Sequence, residues 1–168
     1  ILFEKMRNDD KIVAIVPATG YGSALEPLFK IYKDRTIDVG IAEEHAVISA
    51  TSMSLAGIKR VVSMYSTFLQ RTYDQIIHDC ARHNVNITFL VDRAGIVGKD
   101  GESHQGIYDE SFLTGIPNTV ISMASTLNMA KQLFDNSFKT KSPYFIRFPK
   151  EDYTDIEDVR TYDVGKWI

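Results

Sequence analysis

Apolar and polar positions follow two rhythms along this chain, and they alternate. KIVAIVPA, from Lys11 to Ala18, is a continuous apolar run rich in β-branched residues, which predicts a strand buried on both faces. SALEPLFKIYK, from Ser23, has helical spacing, and RTIDVGI predicts a short second strand. EEHAVISATSMSLAG, from Glu43, returns to a helical pattern, with Gly57 placed as its stop. RVVSMY predicts a third strand. FLQRTYDQIIHDCARHN, from Phe68, predicts a strong amphipathic helix with Leu69, Tyr73, Ile76, Ile77 and Cys80 on one stripe. VNITFLVD, NTVISMA and PYFIRFP predict three further strands, with the helix TLNMAKQLFDNSFK between the last two.

Strands alternating with helices predict right-handed crossovers and an α/β fold. The expected form is a three-layer αβα sandwich around a mostly parallel sheet of about six strands. One domain is expected over residues 1–150. The tail 151–168, acidic and then mixed, reads as a linker toward a further domain. In such sheets ligands bind beyond the carboxyl ends of the strands, so the segments to read are 19–23, 40–45, 65–71, 92–105 and 147–150. The longest connection is DRAGIVGKDGESHQG, Asp92 to Gly106, whose glycines predict defined turns rather than an idle tether.

Composition narrows the function classes. A net charge of −3 and a pI near 5.8 argue against a nucleic-acid or membrane-surface partner. No apolar run approaches the roughly 20 residues of a membrane helix. Cys80 is the single cysteine, so no internal disulfide can form, and a cytoplasmic setting fits best. The start at Ile1 predicts a piece of something longer.

Several residues carry candidate chemistry. Glu43 and Glu44 open a predicted helix, where complementing the helix dipole is the simpler reading. Position suggests a sharper one, because Glu43 follows a strand and the small and apolar GIA, where a carboxyl can be withdrawn from water and share a proton with a ligand nitrogen. The four histidines lack metal-ligand spacing, so no metal site is expected. His78 reads as structural. His104 follows the glycine-rich loop, with Asp100 and Glu102 close by, and is a candidate hydrogen-bond donor or proton shuttle. TGYGSA lacks the third glycine of a dinucleotide fingerprint and reads as a plain strand-to-helix turn. Neither a nucleophile elbow nor a Walker A loop occurs. Arg71, Arg93 and Arg147 all fall on the predicted rim, which suggests an anionic ligand such as a phosphate or carboxylate.

Four blocks in order, DVGIAEEHAV, YSTFLQRTYDQIIHD, DRAGIVGKDGESHQG and FIRFPK, closely resemble the central, pyrimidine-binding domain of the 1-deoxy-D-xylulose-5-phosphate synthase family. That family is transketolase-like and uses thiamine diphosphate. The resemblance covers about Lys11 to Lys150. It implies a transferase that condenses pyruvate with glyceraldehyde 3-phosphate to 1-deoxy-D-xylulose 5-phosphate and carbon dioxide, a precursor for isoprenoid, thiamine and pyridoxal synthesis. It implies that Glu43 bonds N1′ of the cofactor's aminopyrimidine and is catalytic together with His104. Ile41 would prop the cofactor, Phe68 would stack on the pyrimidine, and Arg71 would line the pocket. Tyr65, Arg93, Asp100 and His104 would face substrate, with Asp100 orienting His104 and Arg147 anchoring the phosphate.

The resemblance also implies Mg2+ and the diphosphate held by a separate diphosphate-binding domain, and a cytoplasmic homodimer. Alone, the chain would be inactive. Glu44 stands where the family usually has Gln. Two other readings stay open. One is a different transketolase-like, thiamine-diphosphate-dependent enzyme, and the other is a stand-alone binding module of this fold.

Overall fold

In a computed structural model the chain is described over residues 1–151 and 156–166. Six strands form one sheet: β1 (Ile12–Val16), β2 (Thr36–Asp38), β3 (Lys59–Tyr65), β4 (Thr88–Asp92), β5 (Val120–Met123) and β6 (Tyr144–Arg147). Their order is β2-β1-β3-β4-β6-β5, and every pairing is parallel. The sequence pattern therefore located all six strands. The chain leaves β1 toward β2 on one side and returns to β3 on the other, so the crevice beyond the ends of β1 and β3 is the topological switch point.

Alternation along the strands divides the core in two. Ile15, Val62, Met64, Phe89, Val91 and Phe145 point to one face, where they pack on α3 (Glu43–Leu55) and the helical stretch that follows β3. Ile12, Ala14, Val61, Tyr144 and Ile146 point to the other, against α1 (Leu2–Asn8), α2 (Glu26–Ile31) and α7 (Leu127–Ser137). Helices thus cover both faces, as an all-parallel sheet requires. Phe89 and Phe145 stack across neighbouring strands with centroids 4.4 Å apart. Gly57, at φ +82°, ends α3 in the left-handed conformation that only glycine adopts without strain.

The helix expected from Phe68 onward is not regular. It starts as α4 (Ser66–Leu69), tightens to a 3-10 turn over Gln70–Thr72, relaxes through α5 (Tyr73–Gln75) and widens to a π turn over Ile76–Ala81. Each change of pitch rotates the stripe. Leu69, Ile76 and Cys80 remain fully buried, while Tyr73 turns out to 44% exposure. Irregular helical pitch of this kind often accompanies functional sites. The short α6 (Asp109–Leu113), which the pattern did not predict, closes the long loop.

The tail expected to be a linker is partly docked; residues 152–155 and 167–168 of it lie outside the described ones. Asn128 and Gln132 of α7 donate to the Arg160 carbonyl, and Asn136 donates to that of Tyr162. Asp158 accepts from the Arg160 guanidinium, the Tyr162 hydroxyl and Thr126, bonds that hold its carboxyl well below the ordinary value near 3.8. A carboxyl depressed in the folded state contributes stability above its ordinary value and loses it as pH falls through the folded one. Acidification from about pH 4 downward is therefore expected to loosen residues 156–163 progressively, and Asp158→Asn to release them at neutral pH. Faster amide hydrogen exchange at Arg160 and Tyr162, with β3 and β4 unchanged, is the expected result.

Candidate active site

The site grows from the loops beyond β1, β2, β3 and β4. Asp38, the last residue of β2, accepts from the amides of Ala18 and Gly40, which ties together the loops after β1 and β2. This acid thus serves the backbone. Five residues after Asp38 the chain enters α3, whose first turn separates the paired glutamates. Glu44 is exposed and complements the helix dipole; Glu43 is 2% exposed. A carboxyl so far from water needs a partner, and Arg71 supplies it, with Nη1 2.5 Å from Glu43 Oε1.

Beyond β3, Tyr65 and Phe68 lie nearly parallel, with centroids 5.7 Å apart. His104 meets both rings edge-on, at 6.3 Å from Tyr65 and 5.4 Å from Phe68. The Arg71 guanidinium carbon lies 4.6 Å from the Phe68 centroid, and that of Arg93 lies 4.1 Å from Tyr65. The loop from Asp92 to Gly106 reaches this cluster because it folds back on itself: Gly95 and Gly106 form an antiparallel bridge, with two short 3-10 turns between them. Arg93 holds φ at +59°, a strained conformation for a side-chain-bearing residue and a common feature of functional sites.

Six of the residues expected at a site therefore converge: Glu43, Tyr65, Phe68, Arg71, Arg93 and His104. Ile41 stands on the rim, 81% exposed. Asp100 is present too, but not as His104's orienter. It pairs with Arg93 and with Lys150, while His104 Nδ1 bonds Ser103 Oγ at 3.0 Å. Arg147 is drawn into the fold. Its Nε and Nη2 bind both oxygens of the buried Asp109 at 2.7 and 3.2 Å, and its Nη1 binds Glu110 at 3.1 Å. Those donors are spent on carboxylates, which corrects the expectation of a phosphate anchor there.

Sequence reasoning passed over three residues that the structure adds. Lys150 ends the FIRFPK block and joins Arg93 through Asp100, placing two cations at one rim. Asp92 accepts from Ser23 Oγ at 2.9 Å, and burial pushes its carboxyl upward despite that bond. Gly22 lies against Tyr65 and Arg93, where a methyl would run into the Tyr65 hydroxyl and come within 2.9 Å of the Arg93 guanidinium. The strand-end position of Lys150 was the available signal. Gly22→Ala is expected to push Tyr65 and Arg93 out of register, lowering activity about tenfold or more while thermal stability changes little; steady-state kinetics beside a melting curve checks this.

A cleft of about 590 Å³ opens beside this cluster, lined by Ser23, Asp92 and Lys150 and by apolar residues including Phe134 and Ile146. Glu43, Phe68 and His104 are not among the residues that line it. Among the described residues, no group of three His, Cys, Asp or Glu side chains could hold a metal ion, and no helix is long and apolar enough to cross a membrane.

Residues 1–155 match the family described as the transketolase, pyrimidine binding domain. The chain is 44% identical over 170 residues to a 1-deoxy-D-xylulose-5-phosphate synthase of Listeria monocytogenes, covering 99% of this chain and 28% of that protein. It is 46% identical over 149 residues to the synthase of Exiguobacterium sibiricum, covering 89% of this chain and 24% of that one. The chain thus spans about a quarter of the length of these relatives. A solved structure described as a split gene transketolase, an inactive beta4 tetramer, shares the fold with a TM-score of 0.82 and 19% identity, over 98% of this chain and 54% of that one.

Proposed function

The chain belongs to the transketolase pyrimidine-binding domain family, and from that premise we propose that it forms the pyrimidine half of the cofactor site of a 1-deoxy-D-xylulose-5-phosphate synthase. The observation that carries this reading is Glu43, a carboxyl buried at a strand-to-helix junction and joined through the Arg71 guanidinium to the aromatic face of Phe68. The donor set suits an aminopyrimidine: one carboxyl oxygen to bond a ring nitrogen, and one ring to stack on.

When bound, thiamine diphosphate would supply a carbon nucleophile and an electron sink. The chain's own residues prepare the site for it. Glu43 bonds the pyrimidine N1′ and holds or moves a proton there. Its dry position strengthens that bond. Phe68 fixes the plane of the ring, and Ile41 supports the cofactor from the rim. His104 and the Tyr65 hydroxyl are placed to bond the reacting oxygens, with Ser103 fixing the histidine ring. Arg93 and Lys150, bridged by Asp100, attract the aldehyde's phosphate, which takes over from Asp100 as their anion.

Diphosphate and Mg2+ would be held by a diphosphate-binding domain packed on the rim. Tyr21, Ile41 and Ile96, each more than 80% exposed, follow the ends of β1, β2 and β4 and offer that domain an apolar surface. A homodimer in the cytoplasm completes the reading, and the product would feed isoprenoid and thiamine synthesis.

Assay of the complete enzyme tests the assignment. Turnover of pyruvate with glyceraldehyde 3-phosphate, and little with ketose-phosphate donors, is expected; the reverse preference points to another transketolase-like activity. Lys150→Met is expected to raise KM for glyceraldehyde 3-phosphate about tenfold and to leave KM for unphosphorylated glyceraldehyde unchanged.

A further inference from the structure

Arg71 makes both contacts that the site offers a pyrimidine. Its Nη1 donates to Glu43 Oε1 at 2.5 Å, and its guanidinium carbon lies 4.6 Å from the Phe68 centroid. A planar, π-delocalised group that stacks on Phe68 and donates to Glu43 describes this guanidinium. It equally describes an aminopyrimidine that carries a proton on N1′, the form in which that ring nitrogen donates to the carboxylate. The two compete for the same carboxyl and the same ring. Phe68 has little room to serve both, because Tyr65 lies nearly parallel to it and His104 meets it edge-on.

The surroundings of Arg71 allow an exchange. Its side chain is 42% exposed, against 3% for that of Glu43. Among the described residues its side-chain hydrogen bond goes to Glu43 alone. It stands on the 3-10 turn over Gln70–Thr72, where a long side chain can swing to solvent without disturbing the buried Leu69 and Thr72. Glu43 has no such freedom, and a buried carboxyl left without a partner is costly. Resting on the pyrimidine-site reading of Glu43 and Phe68, we propose that Arg71 is a displaceable placeholder for the cofactor's pyrimidine ring. It keeps the carboxyl paired and the Phe68 face covered, and it leaves as the ring enters. Cofactor loading then carries the cost of breaking an ion pair, which sets both the affinity and the rate of loading.

Arg71→Met keeps the length and apolar stem but removes the guanidinium. In the complete enzyme with Mg2+, this variant is expected to bind thiamine diphosphate about tenfold tighter and to associate faster, by calorimetry and stopped-flow fluorescence. A gain in affinity cannot come from misfolding. Crystal structures of the complete wild-type enzyme are expected to show the Arg71–Glu43 bond without cofactor and to show it broken with cofactor bound. Unchanged or weaker binding by Arg71→Met, or a bond that persists beside the bound ring, would overturn the proposal. Phe68→Ala separates the two levels. If it leaves cofactor affinity at the wild-type value, the pyrimidine-site reading itself fails. If it weakens binding and Arg71→Met weakens it as well, only the placeholder role falls.

Discussion

Glu43→Gln in the complete enzyme is expected to lower kcat by at least about a hundredfold, the scale of a lost general acid–base contribution. The substitution preserves the shape and volume of the side chain, and an amide oxygen still accepts from Arg71. What it removes is the ability to hold or give up a proton at N1′. Thermal stability should therefore change little, and KM for either substrate should stay within a few-fold. Glu44→Gln, one residue on and exposed, is the control, with kcat near the wild-type value. The difference between these neighbours is one of environment. α3 buries one carboxyl against Arg71 and leaves the other in water.

The second large effect is on stability. Asp109→Asn is expected to destabilise the fold by roughly 3–5 kcal/mol, the usual cost of removing one partner from a buried ion pair. Asp109 is 1% exposed and binds the Arg147 guanidinium through both oxygens, which locks the start of α6 to the end of β6. Neutralising it leaves a buried guanidinium whose remaining charged partner among the described residues is the exposed Glu110. Equilibrium denaturation should show the loss, and KM for glyceraldehyde 3-phosphate should not move. A raised KM with unchanged stability would return Arg147 to the substrate. Together with Lys150→Met, this variant separates an arginine that builds the rim from a lysine proposed to bind the phosphate.

Those predictions mark where the sequence was legible. All six strands could be read because a parallel sheet covered on both faces demands continuous apolar runs such as IVAIV and TFLVD, and helices do not produce them. Gly57 and the first turn of α3 could be read because helix ends carry local chemistry. That Glu43, Phe68 and Arg71 come together could be expected because ligands gather at strand ends and because the order of blocks resembles a family. Contacts distant in sequence stayed hidden. Asp109 and Arg147 are 38 residues apart, and Asp100 and Lys150 are 50 apart. Nothing in local spacing distinguishes an arginine that will find a buried carboxyl from one that will face a ligand. The same holds for the 3-10 and π turns after β3, since a stripe of apolar residues records an average period and not a change of pitch.

In the proposed site Glu43 controls proton chemistry on a pyrimidine held against Phe68. Hydrogen–deuterium exchange at the thiazolium C2 of thiamine diphosphate bound to the complete enzyme, followed by proton NMR after rapid quenching, measures that control without any substrate turning over. Exchange is expected to be at least about a hundredfold slower in Glu43→Gln than in the wild type, with the cofactor still bound in both. Exchange at the wild-type rate in a fully loaded Glu43→Gln enzyme would contradict it.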